Sequence, residues 1–147
     1  MGSFVLFYKS QKYMKKSKYT VGNFKLRVRK SGTGKGLFAV ERIPKGSCII
    51  EYTGVLVPED QVDKINSKYL FEINKNKTIN GNVPSNLARY INHSCKPNCE
   101  SDGPRDKVFI SSIKNIKPGE ELTYDYGEEY FEEYLSKGRC MCVKCSK

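Results

Sequence analysis

The chain has 147 residues, the length of one domain, with 26 Lys/Arg against 16 Asp/Glu and a net charge of +10. It contains no apolar run long enough to span a bilayer. Its start, Met1–Leu6, lacks the long apolar core of a secretory leader and the Ser/Thr at position 6 that myristoylation prefers. An intracellular, reducing setting is therefore expected, where six cysteines point to metal binding more than to disulfides.

The charge is uneven. Residues 1–47 carry 12 Lys/Arg and one acid, Glu41, whereas residues 48–147 carry 14 Lys/Arg and 15 Asp/Glu. A basic arm over 1–23 can attract nucleic acid or another polyanion, or can be a solvated leader; Tyr and Lys are mixed over Tyr8–Tyr19 with no clear period. After it, KLRVRK (Lys25–Lys30) alternates polar and apolar, as a half-buried strand does. GLFAV and SCIIEYTG are short apolar runs bounded by Gly and Pro and read as further strands. From Pro58, PEDQVDKINS reads as a brief helix with acids in its first turn. KYLFEI and KTI form a strand pair, and PSNLARYI starts a short helix capped by Ser85. KVFISSI alternates again, and KPGEELTYDYG is a turn leading into a strand that ends at Gly127. The expected class is mostly β, with several small sheets and two short helices.

Three motifs carry chemistry. SGTGKGLFA places Gly32, Gly34 and Gly36 where backbone can approach a ligand without a Cβ in the way. A strand follows it, which disfavours a dinucleotide-binding fold, and no Gly-Lys-Ser/Thr follows at phosphate-loop spacing. CMCVKC gathers Cys140, Cys142 and Cys145 within six residues. Tetrahedral zinc needs four donors, so a fourth would come from Cys48, Cys95, Cys99 or His93. Of these, Cys48 lies in an apolar run and Cys99 opens a strand. RYINHSCKPNC holds the only histidine, which can serve as ligand, base or neither.

NHSCKPNC and ELTYDYG, with GKGLFA and IEYTG, occur in an order and at a spacing that resemble the SET-domain protein lysine methyltransferases. The resemblance runs from about Phe24 to the C-terminus. It implies a basic arm over 1–23, a SET catalytic domain over 24–127 and a post-SET zinc-binding tail over 128–147. It implies the SET fold, small β-sheets around a knot-like core, in which LTYDYG passes under a loop near NHSC, an exception to the rule against threading. S-adenosylmethionine would bind Thr33, Gly34, Lys35 and Gly36, with Tyr69, Arg89, Asn92 and His93 completing the cleft. In similar enzymes the main chain at His93 reads the adenine and Asn92 holds the methionine end. Tyr126 matches the catalytic tyrosine, and Tyr52 and Tyr124 would line the lysine channel. Cys95 would join Cys140, Cys142 and Cys145 around zinc. The tail has the compact CxCxxC form of small stand-alone members, where larger relatives place four residues before the last cysteine.

Such an enzyme would transfer a methyl group from S-adenosylmethionine to a lysine side chain, mainly once. The implied substrate is a protein with an exposed lysine, a histone tail foremost. The arm would make any contact with nucleic acid or a nucleosome, and no membrane is implied. The setting would be nuclear or chromatin-associated in a eukaryote or its host, and cytoplasmic in a bacterium. The alternatives are a methyltransferase-like scaffold without activity and a basic nucleic-acid-binding module, for which no DNA-reading motif is present.

Overall fold

The computed structural model describes residues 17–32 and 34–127. The basic arm before residue 17, Thr33, and the tail from 128 with Cys140, Cys142 and Cys145 lie outside the described residues.

Strands β1 (Leu26–Ser31) and β2 (Gly34–Ala39) form an antiparallel hairpin, in register from Leu26 opposite Ala39 to Ser31 opposite Gly34. Along β1 the alternation holds: Arg27 and Arg29 are exposed, while Leu26 and Val28 turn inward. Strand β3 (Cys48–Tyr52) leads into β4 (Val55–Pro58), and a single helical turn, α1 (Glu59–Val62), follows with Glu59 and Asp60 in its first turn. Strands β5 (Leu70–Asn74) and β6 (Lys77–Asn80) are paired antiparallel, as KYLFEI and KTI suggested. A 3-10 turn (Leu87–Tyr90) precedes β7 (Asn92–His93), β8 (Cys99–Asp102), β9 (Val108–Ser112) and β10 (Thr123–Tyr124).

These strands make four small sheets: β1–β2, β3–β9–β8, β4–β6–β5, and a parallel pair, β7–β10. The mostly β expectation holds. The pairing that matters for the site is β7–β10, with Asn92 opposite Thr123 and His93 opposite Tyr124. It brings NHSC and LTYDY side by side across about thirty residues of chain. The Ser94 amide donates to the Tyr124 carbonyl at 3.1 Å, and Asn98 locks the same segment through bonds to the Glu121 carbonyl and the Thr123 amide. The described core lies between the sheets. Ile110 of β9, sandwiched between β3 and β8, is fully buried with Leu37, Ile43, Ile116 and Leu122. Each such side chain contributes about 1.5–3 kcal/mol of burial.

Two expectations are corrected. Ser85 does not cap the turn at Leu87–Tyr90: the N-terminal residue is Asn86, and no side chain caps it. Asn86 is 1% exposed and its amide works elsewhere, donating to the Gly81 carbonyl at 3.0 Å and accepting from the Thr53 amide at 3.2 Å. A side chain with both donor and acceptor suits a buried gap between two backbone groups better than a serine hydroxyl does. The final strand also stops at Tyr124 and not at Gly127, because from Asp125 the chain turns on its own side chains. The Asp125 carboxylate accepts from the Gly127 amide, and Gly127 has φ 97°.

Asn86→Ala should lower stability by roughly 2–4 kcal/mol, since it strands the buried Gly81 carbonyl and the partly buried Thr53 amide. Urea unfolding should show an earlier midpoint with an unchanged slope. An unchanged midpoint would mean that water replaces both bonds.

Candidate active site

Two neighbouring arrangements meet at β7. The first is a row of aromatic rings. Tyr52 at the end of β3 packs on Phe71 of β5 with ring centroids 5.3 Å apart. Phe71 lies 6.2 Å from Tyr124, and Tyr124 lies 4.8 Å from Tyr126. The Tyr52 hydroxyl donates to the Tyr69 carbonyl at 2.9 Å, which ties the strand ends together. The Tyr126 hydroxyl donates to the carbonyl of Ile91, the residue before Asn92. The three tyrosines singled out in the sequence are thus brought together. Phe71 was missed, because one aromatic inside KYLFEI reads as ordinary core.

The second arrangement is polar and cationic. Asn92 donates from Nδ2 to the Lys35 carbonyl at 2.9 Å, so β7 and the glycine-rich hairpin are joined. The Lys35 ammonium lies 5.8 Å from the Tyr90 ring. The Arg89 guanidinium lies 4.8 Å from the Tyr90 ring and 5.3 Å from the Tyr69 ring, and bonds the Tyr90 hydroxyl and the Asn82 side-chain oxygen. Gly34, Lys35, Tyr69, Arg89 and Asn92 therefore belong to one connected wall, with Tyr90 an addition that the sequence did not single out. Gly34 has φ 115° and open space where a Cβ would stand. Gly36 faces differently: a Cβ there would be 2.2 Å from a carboxylate oxygen of Glu121. Thr33 lies outside the described residues.

His93 joins the two arrangements. Its Nδ1 accepts from the Tyr126 amide at 3.1 Å, which puts the ring proton on Nε2, 3.3 Å from the Cys95 sulfur. Burial pushes its pKa below the ordinary histidine value, against the opposing pull of the Asp125 carboxylate. A neutral ring bonded through Nδ1 to the backbone serves to hold the Tyr126 segment in place.

The cysteines differ in fitness for metal. Cys99 is 1% exposed and burial pushes its thiol up to about 12; burial also raises Cys48. Zinc takes thiolates, so both are poor donors. Cys95 is partly exposed, with the His93 Nε2 3.3 Å from its sulfur. Among the described residues no group of three or more metal-binding side chains is gathered. The other three sulfurs named from the sequence lie in the tail beyond Gly127.

A family model described as "SET domain" matches residues 34–127, well over half of the chain. The chain belongs to the SET-domain family. Among curated relatives, the chain is 38% identical over 121 residues to "Histone-lysine N-methyltransferase, H3 lysine-4 specific" of Schizosaccharomyces pombe, covering 73% of the chain and 13% of that protein. It is 37% identical over 121 residues to human "Histone-lysine N-methyltransferase 2D", covering 74% and 2%. It is 34% identical over 134 residues to ASHH1 of Arabidopsis thaliana, covering 81% and 27%. The chain thus spans a small part of the length of these relatives.

Among solved structures, KRYPTONITE in complex with mCHH DNA, an H3(1-15) peptide and SAH superposes with a TM-score of 0.68 at 33% identity, over 85% of this chain and 29% of that one. An autoinhibited ctPRC2 bound to S-adenosylmethionine superposes with a TM-score of 0.63 at 31% identity, over 72% and 15%. The SET fold is therefore that of proteins solved with the methyl donor, its demethylated product and a histone peptide.

Proposed function

We propose that the chain is a protein-lysine N-methyltransferase that uses S-adenosylmethionine, and that it acts on histone H3 and adds mainly one methyl group. The observation that carries the reading is an aromatic row, Tyr52–Phe71–Tyr124–Tyr126, tied at both ends to the polar wall: the Tyr52 hydroxyl bonds the carbonyl of Tyr69, whose ring faces Arg89, and the Tyr126 hydroxyl bonds the carbonyl of Ile91, next to Asn92. A channel and a cofactor cleft that meet at one point are what methyl transfer to a lysine requires. The named activities of the relatives and the ligands of the solved neighbours support it.

The wall fits the donor. Arg89 Nε is buried and lacks a hydrogen-bond partner among the described residues. Such an atom costs about 1–3 kcal/mol unless a ligand oxygen meets it, and the donor's amino-acid end carries a carboxylate. Gly34 leaves room for close approach. When bound, the donor supplies an electrophilic sulfonium methyl.

The chain's residues do the remaining work. The aromatic row would exclude water and disfavour an ammonium, which helps a substrate lysine to lose its proton. At an unperturbed pKa near 10.4, that loss costs roughly 4–5 kcal/mol at pH 7. Tyr126, its hydroxyl turned to Ile91 beside Asn92, would orient the neutral amine where the two arrangements meet. Positioning then supplies most of the acceleration. His93, neutral and bonded through Nδ1, is left out of proton transfer in this reading.

The test is mass spectrometry of histone H3 after incubation with the protein and S-adenosylmethionine. Methyllysine on H3 supports the reading; no methylation of H3 or of any protein in a whole-proteome mixture would defeat it. Chromatin is the proposed setting, and the basic arm is proposed to add contact with nucleosomal DNA. A salt-sensitive affinity for duplex DNA that is lost on deleting residues 1–16 would test the arm.

Zinc is proposed to join Cys95 to Cys140, Cys142 and Cys145. About one zinc per chain is expected by elemental analysis, and Cys95→Ser should release it. Chelation should weaken activity more than it lowers the melting temperature, because the described core lies elsewhere. A metal-free preparation with full activity would overturn the assignment.

A further inference from the structure

We propose that Glu121 is a positioning residue that fixes the side-chain amide of Asn92, so that Asn92 offers its carbonyl oxygen to the methyl donor. This rests on the methyltransferase reading and deepens it.

An asparagine side chain has two N–H donors and one carbonyl acceptor. In the structure both N–H groups are taken. One meets the Lys35 carbonyl at 2.9 Å, and the other meets Glu121 Oε1 at 2.7 Å. The second bond is short and charge-assisted, the stronger kind. Only Oδ1 remains to face a ligand, and an acceptor there suits a cation such as the α-ammonium of the donor. An amide turned by 180° would present its NH2 to that cation, which repels it. Amide orientation is thus a determinant of binding, and Glu121 sets it.

The carboxylate is itself held. Its Oε2 accepts from the Ser31 hydroxyl at 3.0 Å. Its backbone bridges to Phe38, its carbonyl accepts from Asn98 at 2.8 Å, and the next amide, Leu122, donates to Leu37 at 2.8 Å. Gly36 keeps the slot open, since a Cβ there would stand 2.2 Å from Oε1 and 2.9 Å from the carboxyl carbon. A flexible side chain would move aside, but this one is bonded at both oxygens. The glycine of GKGLFA therefore has a role beyond donor contact: it admits the carboxylate that aims Asn92.

Calorimetry of the full chain with S-adenosylhomocysteine, and with its analogue lacking the α-amine, tests this. Wild type should bind the first well and the analogue at least about tenfold more weakly. Glu121→Ala should lose at least about tenfold for S-adenosylhomocysteine and little for the analogue, so that discrimination collapses. Glu121→Gln keeps an acceptor for Asn92, and the Ser31 hydroxyl can reverse to accept from its amide; it should bind within about threefold of wild type. Asn92→Ala combined with Glu121→Ala should bind no worse than Asn92→Ala alone.

Should Glu121→Ala fail to fold, Gly36→Ala, which displaces the carboxylate by one methyl, carries the same expectation. Equal loss for both ligands, additive losses in the double variant, or a Glu121→Gln as weak as Glu121→Ala would overturn the inference. A wild type that binds neither ligand would overturn the methyltransferase reading itself, and the inference with it.

Discussion

Tyr126→Phe is expected to reduce turnover at least about a hundredfold, some 2.7 kcal/mol of barrier. The substitution keeps the ring, so the 4.8 Å contact with Tyr124 and the 5.3 Å contact with His93 are retained. It removes one hydroxyl, whose bond to Ile91 anchors the segment next to Asn92. Loss of a single hydrogen bond lowers stability by only about 1 kcal/mol, so a much larger kinetic effect would have to come from the reacting geometry. A small change in donor affinity beside a large fall in kcat would place the hydroxyl at the amine. The measurement is single-turnover kinetics with calorimetry of S-adenosylhomocysteine on the same variant. Near-normal turnover would remove Tyr126 from the proposed mechanism.

Much of this site was legible because motif residues carry it. Asn92 and His93, Tyr52, Tyr124 and Tyr126 each sit in a short string that marks the family, and the structure gathers them. The strands were legible for a simpler reason, a short apolar run: KLRVRK alternates as read, whereas KVFISSI, read as alternating, buries Val108, Phe109 and Ile110 in succession because β9 is the central strand of its sheet. What was not legible depends on partners far away in the chain. Glu121 stands in GEEL, where a carboxylate in a turn reads as solvated; only the approach of Ser31 and Asn92 reveals its use. The β7–β10 pair is two residues long on each side, too short for any periodicity, and it forms across about thirty residues. Asn86 was passed over for Ser85 because a cap is a local event, whereas its bonds to Gly81 and Thr53 are set by packing.

Tyr124→Phe is expected to change the product rather than the rate, moving it from monomethyllysine toward di- and trimethyllysine. Tyr124 is 6% exposed and stands in the aromatic row between Phe71 and Tyr126. In the proposed lysine channel, where the Tyr52 hydroxyl bonds the Tyr69 carbonyl and the Tyr126 hydroxyl bonds the Ile91 carbonyl, the Tyr124 hydroxyl is a polar point able to hold an ordered water beside the lysine nitrogen. That water would fill the space a second methyl needs. Expelling it forfeits hydrogen bonds that a methyl cannot replace, and a bridging water bonds nearly as well as a direct partner. A phenylalanine at the same position leaves the water no anchor, and the freed volume suits a methyl. The two proteins should bind the donor alike, since Tyr124 lies in the aromatic row and Asn92 and Arg89 form the polar wall. Mass spectrometry of one H3 peptide over a full time course, wild type beside Tyr124→Phe, reads the outcome as the ratio of methylation states. Monomethyllysine should accumulate in the first and pass onward in the second. Rapid trimethylation by the wild type, or identical product ladders from the two, would show that the hydroxyl does not set the count.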